Sequence, residues 1–355
     1  MGILYSNLKI FRFPEKLRSL AGEAPLSAPL HVRLKPTNRC NHRCRYCAYR
    51  SPDLQLGQHM NPADSLPREK ALEIARDLVE MGVRAVTFSG GGEPLVYPYL
   101  LEMADIMADG GIKLACLTNG GLLNGRAAEF FAAKASWLRV SMDGWDDDSY
   151  GRYRGVAAGE FSRIMANLAA FTRLGGSCLL GVSYIVDAEN WPHIPEMLAR
   201  LKDSGIRSVK VSACIVANEA EANNAYHAPH FEAARNLLND SMVRLGGPDF
   251  EIQDAWHNLG GHFSKDYQYC PYSQVLTVIG ADQAVYPCQD KAYSDDARLG
   301  SLADQTFREF WFGGGRQTFL RINPARDCLH HCVSNDRNRL ILEYLDLDPE
   351  HGNFV

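Results

Sequence analysis

The feature of this sequence that most constrains its fold is a regular alternation of strand-like and helix-like segments between residues 30 and 214. The strand-like segments are short apolar runs, and the segments between them repeat apolar residues at the spacing of an amphipathic helix. Such an alternation predicts parallel strands joined by right-handed helical crossovers. The predicted strands cover residues 30–34, 84–89, 113–118, 137–141, 178–186 and 209–214, and the predicted helices cover residues 69–81, 99–108, 126–135, 161–174 and 194–204.

Six strands are fewer than the eight of a complete TIM barrel, so we predict an open (β/α)6 partial barrel. The pattern changes after residue 214, and two short strand signals then flank Gly280-Ala-Asp, which is typical of a hairpin turn. The fold class is therefore α/β, a partial TIM-type barrel followed by a small cysteine-rich α+β domain. The predicted divisions are an N-terminal lead (1–28), the barrel (29–261), the cysteine-rich domain (262–336) and a C-terminal tail (337–355).

Composition and charge exclude several classes of function. The net charge of −5 leaves no broad basic field for binding nucleic acid. The chain has no run of 18 apolar residues and no signal-peptide pattern at its N-terminus, so we predict a cytoplasmic protein that does not bind a membrane. In that reducing compartment, ten cysteines indicate metal or redox chemistry rather than disulfides.

The cysteines form two sets with different spacings. Cys40, Cys44 and Cys47 follow the first predicted strand as C-x3-C-x2-C. Three thiolates can hold three irons of a 4Fe–4S cube and leave the fourth iron open. A zinc site is the alternative, with His42 as a possible fourth ligand. The second set has enough thiolates to close a cluster or a zinc site completely, and it consists of Cys270, Cys288, Cys328 and Cys332.

Polar and glycine-rich segments follow the other predicted strands, where ligands of parallel sheets gather. Gly90-Gly-Gly-Glu93-Pro94 follows the second strand, and its glycines would let the backbone approach a ligand, although a plain turn has the same composition. Ser141 and Asp143 stand two residues apart, as a ribose diol would need, but such residues are also ordinary caps. Asn119 and Ser183 lie at or near two further strand ends.

In this order, the cysteine triplet and these motifs resemble the radical S-adenosylmethionine (SAM) superfamily over about residues 30–215. The resemblance implies that the triplet holds a 4Fe–4S cluster whose open iron chelates SAM. It also implies that the glycine motif binds the SAM ammonium group, that the serine–aspartate pair binds the ribose, and that Tyr46 approaches the adenine. The residues implied are, for the cluster, Cys40, Cys44 and Cys47, and, for SAM, Tyr46, Gly91, Gly92, Glu93, Pro94, Asn119, Ser141, Asp143 and Ser183.

The second cysteine set resembles the twitch appendage of this superfamily. The larger SPASM appendage usually has seven cysteines and two clusters, whereas four cysteines are present here. The resemblance therefore implies one auxiliary 4Fe–4S cluster, fully ligated by protein and able to accept one electron. It further implies a one-electron reductant such as flavodoxin or ferredoxin.

The reaction itself is left open by the sequence. Oxidation of a small polar substrate (a sugar, a nucleotide sugar or an aminocyclitol) is our first hypothesis, because the predicted lead is too short for a domain that recognises a leader peptide. Redox-neutral epimerisation with Cys214 as hydrogen donor, dehydration of a diol, and peptide modification are the alternatives. Arg152 and Arg154 follow Asp143 and are candidate substrate-binding or catalytic residues, because arginine suits anionic and polyol groups. The alternative from another class is a non-catalytic iron–sulfur or zinc scaffold. In such a protein the glycine motif and the serine–aspartate pair would match SAM-binding positions only by coincidence.

Overall fold

A computed structural model describes residues 6–51, 57–256, 262–348, 350–351 and 354. In these residues ten strands form one sheet. The strands are β1 (His31–Leu34), β2 (Ala85–Phe88), β3 (Lys113–Thr118), β4 (Ala135–Met142), β5 (Leu179–Val186), β6 (Ser208–Ala213), β7 (Glu251–Asp254), β8 (Leu276–Ile279), β9 (Ala284–Tyr286) and β10 (Gly300–Ser301). The helices are α1 (Pro14–Ala21), α2 (Arg68–Glu80), α3 (Leu100–Asp109), α4 (Gly125–Lys134), α5 (Asp147–Arg154), α6 (Glu160–Arg173), α7 (Ile194–Asp203), α8 (Ala220–His227), α9 (Phe231–Leu245), α10 (Tyr272–Val275), α11 (Phe307–Gly313), α12 (Pro324–Asp327) and α13 (Asn335–Leu345).

The sheet confirms the predicted α/β class. Its strand order is β10-β9-β8-β1-β2-β3-β4-β5-β6-β7, and β1 to β7 are parallel. All six predicted barrel strands are present. Sequence analysis missed β7, because its four residues include a single apolar residue, Ile252, and so show no clear alternation.

The two faces of the sheet differ in polarity. On β5, Leu180, Val182, Tyr184 and Val186 are buried against the surrounding helices, and the other side chains face the interior of the barrel. The helices pack apolar stripes against this face of the sheet, such as Leu72, Ile74 and Leu78 of α2. Burial of these stripes stabilises the outer layer, while the interior face is left available for polar residues.

The predicted C-terminal hairpin, β8 with β9, joins the edge of the barrel sheet. β8 pairs in parallel with β1, so that Val278 lies opposite Arg33, and β9 returns antiparallel to β8. This pairing places the C-terminal region directly beside the strand that leads into the cysteine triplet.

Residues 337–345 were predicted as tail, but the structure places them in α13. This helix starts inside the predicted cysteine-rich domain, and its Ile341 is buried against Ile10, Leu17 and Leu20 of the lead. Contacts with the distant N-terminal segment stabilise the helix, which local periodicity could not reveal. The predicted boundary at 261/262 adjoins residues 257–261, which lie outside the described residues. No helix in the described ranges is long and apolar enough to cross a membrane.

Candidate active site

The cysteine triplet lies on the loop between β1 and α2, and its three side chains are partly exposed, free thiols. Two backbone hydrogen bonds hold this loop to α5: Arg43 N donates to Arg154 O (2.7 Å) and Arg45 N donates to Tyr153 O (3.0 Å). Burial and, to a smaller extent, the nearby Glu93 and Cys44 raise the pKa of Cys40 to about 11. Cys40 and Cys47 both lie within electrostatic range of Cys44 on this loop, and bound iron would have to offset the burial of their thiolates.

Arg154 links the triplet to the predicted ribose-binding residue. Its Nε donates to Asp143 Oδ1 (3.0 Å) and its Nη1 donates to Cys44 Sγ (3.4 Å). The two charged side chains are almost fully buried. Burial raises the pKa of Asp143, whereas the guanidinium lowers it. Arg154 thus holds a predicted cluster ligand and a predicted SAM ligand in one arrangement.

The other predicted arginine lies elsewhere. Arg152 is exposed on α5, and its side chain has no hydrogen-bond partner in the described part of the chain. The two arginines therefore do not form a joint site. Arg154 contacts the cysteine loop, whereas the side chain of Arg152 lies at the protein surface.

The glycine motif packs directly on the start of the cysteine loop. A Cβ added to Gly92 would lie 2.0 Å from Arg39 O, and one added to Gly91 would lie 2.1 Å from Asn38 Oδ1. Gly92 N donates to Thr37 O (3.1 Å) and Glu93 N donates to Arg39 O (2.9 Å). The close backbone approach explains why glycine stands at these positions.

The carboxylate of Glu93 is buried and already bonded within the protein. It accepts hydrogen bonds from Thr118 Oγ1 (2.6 Å), Asn119 N (2.7 Å) and Leu95 N (3.1 Å). Asn119 in turn donates through Nδ2 to Asn41 Oδ1 (2.7 Å). Glu93 and Asn119 therefore tie the glycine motif, the end of β3 and the cysteine loop together, and Pro94 is buried directly beyond Glu93.

Ser141 and Ser183 are neighbours on β4 and β5, paired through their Cα positions. Both are partly exposed, and neither hydroxyl has a hydrogen-bond partner among the described residues. Tyr46 lies with its ring 5.6 Å from the Arg154 guanidinium. These three predicted SAM residues are thus free to bind a ligand.

Several buried polar atoms near the cysteine loop lack a hydrogen-bond partner within the described ranges, which bears on whether the site fits a bound polar ligand. Buried polar atoms normally have a hydrogen-bond partner. Several around the cysteine loop have none in the described residues, and this is the arrangement expected where SAM supplies the missing partners. These atoms are Asn38 Oδ1, Tyr46 Oη, Ser89 Oγ, Asp143 Oδ2 and Arg154 Nη2.

The structure also gathers the second cysteine set. Burial raises the pKa of Cys288 well above its usual range, and Cys332, Cys328 and Cys270 raise it further, so the four thiols lie within electrostatic range of each other. Asn338 of α13, which sequence analysis missed, donates through Nδ2 to Cys270 Sγ (3.3 Å). Across the described ranges, no three Cys, His, Asp or Glu side chains converge on a point that would hold a single metal ion.

Two residues missed by sequence analysis connect the two cysteine sets. Lys35 donates through Nζ to Tyr49 Oη (2.6 Å) and to Gly90 O (2.9 Å). Tyr49 stands two residues after Cys47, and its hydroxyl donates to Gln289 O (3.2 Å), next to Cys288. The position of Tyr49 after the triplet is the only local signal for this link.

A cavity of about 290 Å³ opens at the carboxyl ends of β5 and β6. Tyr46, Asp187 and Cys214 are among its lining residues. Arg45 bonds Asp187 through Nη2 (2.6 Å), which fixes one wall. Burial raises the pKa of Cys214 to about 12, so this thiol keeps its hydrogen at neutral pH. The predicted position of Cys214 near the barrel mouth agrees with this placement.

Comparison with known proteins gives the family. The sequence model of the Radical SAM superfamily matches residues 34–201. GTP 3′,8-cyclase of Microcystis aeruginosa (strain NIES-843 / IAM M-2473) is 29% identical over 269 residues, which are 73% of this chain and 80% of that protein. PqqA peptide cyclase of Ruegeria pomeroyi is 26% identical over 308 residues, covering 82% of this chain and 77% of that protein.

Solved structures share the fold over most of the chain. Streptococcus suis SuiB bound to precursor peptide SuiA has a TM-score of 0.62 at 16% identity, covering 90% of this chain and 77% of that chain. Native anSMEcpe with bound AdoMet and Cp18Cys peptide has a TM-score of 0.59 at 15% identity, covering 89% of this chain and 96% of that chain. Family match and fold agree that residues 34–201 form a radical SAM domain, and the radical SAM superfamily uses a 4Fe–4S cluster and SAM, the cofactors predicted for the first cysteine set.

Proposed function

We propose that this radical SAM enzyme removes a hydrogen atom from a small polar substrate, such as a sugar, a nucleotide sugar or an aminocyclitol, and that the substrate is then oxidised. The observation that carries the proposal is the second, four-cysteine site, which Tyr49 and Lys35 connect to the SAM site. Four thiolates can close an auxiliary 4Fe–4S cluster, and a cluster closed in this way suits electron transfer better than substrate chelation. A flavodoxin or ferredoxin is the proposed reductant.

The chain's own residues would bind and orient the reactants. When bound, SAM and its cluster supply a 5′-deoxyadenosyl radical. Ser141 and Asp143 would hold the ribose of SAM, and Arg154 would keep Asp143 in place. The backbone of Gly91 and Gly92 would bind the methionine ammonium group, because Glu93 is already bonded within the protein.

The proposed oxidation balances atoms and electrons. A substrate C–H bond would break, and its hydrogen atom would form a new C–H bond with the 5′-deoxyadenosyl radical, giving 5′-deoxyadenosine. Cys270, Cys288, Cys328 and Cys332 would hold a cluster able to accept the one electron that the substrate radical must lose. The adjoining hydroxyl loses its proton to water, and a C=O bond forms.

Redox-neutral epimerisation is the second candidate, and Cys214 favours it. This thiol lines the cavity beside Tyr46, and burial keeps it protonated. A thiol S–H could give its hydrogen atom to the opposite face of the substrate radical, and the thiyl radical left on Cys214 would regain one electron from the proposed flavodoxin or ferredoxin and one proton from water. Cys214→Ala would then abolish product formation, whereas an oxidation would survive the change; product analysis by mass spectrometry in D2O separates the two.

A peptide substrate is the third candidate. PqqA peptide cyclase and SuiB with its precursor peptide are among the similar proteins, and both names point to peptides. GTP 3′,8-cyclase is also among the similar proteins, and its name points to a nucleotide, which supports a small polar substrate instead.

Iron and acid-labile sulfide per chain test the proposal after anaerobic reconstitution. We expect about eight irons in the wild type and about four in the Cys40/Cys44/Cys47→Ala triple variant, as two cube-type clusters require. Cys116→Ala is the matched control, since this buried thiol belongs to neither set, and it should keep the wild-type iron.

Two results would contradict the assignments. About four irons in the wild type and none in the triple variant would remove the proposed electron acceptor. A Cys44→Ala enzyme that still forms 5′-deoxyadenosine with dithionite and SAM would overturn the role of the triplet.

A further inference from the structure

The interior face of the barrel carries a group of cations. Positions paired across neighbouring strands face the same side of a sheet. By this register, Arg33, Thr87 and Trp137 lie on the interior face. Arg139 is two residues beyond Trp137 and shares that face, and Lys210 joins it through its pairing with Ser183. Three cations from β1, β4 and β6 therefore point into the same space.

These cations are accessible from the interior. Arg33, Arg139 and Lys210 are each partly exposed, in contrast to the fully buried apolar residues on the helix-packed face. Gly181 leaves room for one of them, since a Cβ there would lie 3.7 Å from Arg139 Nε and 2.9 Å from Ser208 O. The interior face of the barrel therefore presents partly exposed, positively charged side chains.

Protein acceptors do not satisfy two of these cations. Neither Arg33 nor Lys210 donates a hydrogen bond to any described residue, and Arg33 Nε is buried without a partner. Asp290 acts on Arg33 electrostatically. Among the paired strand positions on this face the acidic residue is Glu251, which is exposed at the start of β7. Asp143 and Asp187, just beyond the ends of β4 and β5, are already paired with Arg154 and Arg45. The positive charge is therefore in excess.

The negative charge of an auxiliary cluster would balance only part of this excess positive charge. Arg33 lies within electrostatic range of Cys288. Lys210 instead faces other cations: burial lowers its pKa, and Arg139, Arg337 and Arg33 lower it further. Like charges held together in this way favour an anion that binds between them.

We propose that the barrel interior binds the phosphate groups of the substrate through Arg33, Arg139 and Lys210, so that the substrate is a phosphorylated small molecule of the nucleoside-diphosphate-sugar class. The inference rests on the proposed function, because it names the substrate of the same site. A diphosphate matches this site better than a single carboxylate, since it carries more than one negative charge and many acceptor oxygens. Arginine and lysine are the side chains that proteins use for such groups.

Binding of inorganic pyrophosphate and of UDP to the reconstituted enzyme, with SAM present at saturation, tests the proposal by isothermal titration. Both should bind the wild type. In Lys210→Met and Arg139→Met the affinity should fall about tenfold or more, as the loss of a charged hydrogen bond implies. Arg126→Met is the matched control on the exposed surface of α4 and should bind as the wild type does.

Three outcomes would overturn the proposal. The first is a wild-type enzyme that cleaves SAM but binds neither pyrophosphate nor UDP. The second is succinate binding that is tighter than pyrophosphate binding and that the same variants lose, which would assign the site to carboxylates. The third is loss of SAM binding in Lys210→Met, since Lys210 adjoins Ser183 and would then serve the cofactor. A wild type that forms no 5′-deoxyadenosine would instead contradict the proposed function itself.

Discussion

At the scale of single residues, Arg154 joins two parts of the site that the sequence treats separately. It contacts Cys44 of the cluster triplet and Asp143 of the ribose pair, and its guanidinium lies over the rings of Tyr46 and Tyr150. Sequence analysis placed Arg154 with Arg152 as a substrate residue. From these contacts we propose that Arg154 positions Asp143 and Cys44 in the proposed SAM site.

Arg154→Met should destabilise the enzyme and impair SAM cleavage. The change leaves the buried Asp143 carboxylate without its cation, which costs about 3–5 kcal/mol. Urea unfolding under anaerobic conditions measures the loss. Arg163→Met is the matched control, because it removes an exposed arginine bonded to Glu160 and should cost about 1 kcal/mol or less. Equal losses in the two variants would contradict the proposed function of Arg154.

At the scale of elements, three loops at the carboxyl edge of the sheet form one unit. The glycine motif rests on the cysteine loop, and Glu93 bonds the end of β3. Each loop follows a different parallel strand, so the sheet brings their starts together at one edge. The close backbone packing, rather than any single side chain, fixes the shape of the proposed SAM site.

Gly92→Ala should weaken SAM binding by about tenfold or more, because the added Cβ would lie 2.0 Å from Arg39 O and the motif must move. Isothermal titration of the reconstituted protein with SAM measures the change. Gly247→Ala has open space around its Cβ and serves as control. Wild-type affinity in Gly92→Ala would show that the motif does not shape the site.

At the scale of the whole molecule, β1 lies next to both cysteine sets. Its end leads into the triplet, and its edge pairs with β8 of the C-terminal region. Inside the barrel, His31 of β1 lies 2.8 Å from Thr87 Oγ1. Burial, with smaller contributions from Arg33 and Arg337, lowers the pKa of His31 to about 3.

This histidine makes folding stability depend on pH. Between pH 6.5 and 3 the unfolded chain binds a proton that folded His31 does not, so the free energy of unfolding falls as the pH falls below 6.5. The loss reaches about 2 kcal/mol at pH 5. His31→Gln should lose that much less than the wild type between pH 7 and pH 5 in urea unfolding.

His59→Gln is the matched control for this measurement, because the ring of His59 is half-exposed. It should show the wild-type pH dependence, including any loss caused by acid damage to the clusters. The same dependence in His31→Gln would contradict the assignment of a neutral, buried His31.

The sequence by itself determined the local parts of this protein. The five helices α2, α3, α4, α6 and α7, the strands β1 to β6 and the hairpin follow from periodicity and turn residues, which act over a few neighbouring positions. The C-x3-C-x2-C spacing likewise places three thiolates on one loop. These features are set by residues close together in the chain, and so they can be read without the fold.

Only the tertiary structure decided which distant residues meet. It paired β8 with β1, ordered α13 against the lead and moved Arg154 to the cysteine loop. It also placed Arg33 and Lys210 on the interior face of the barrel. Sheet order and the packing of separate segments determine these contacts, and no local pattern records them. A lone lysine in the apolar strand β6 was the signal available, and it acquires meaning only once the strands are assembled.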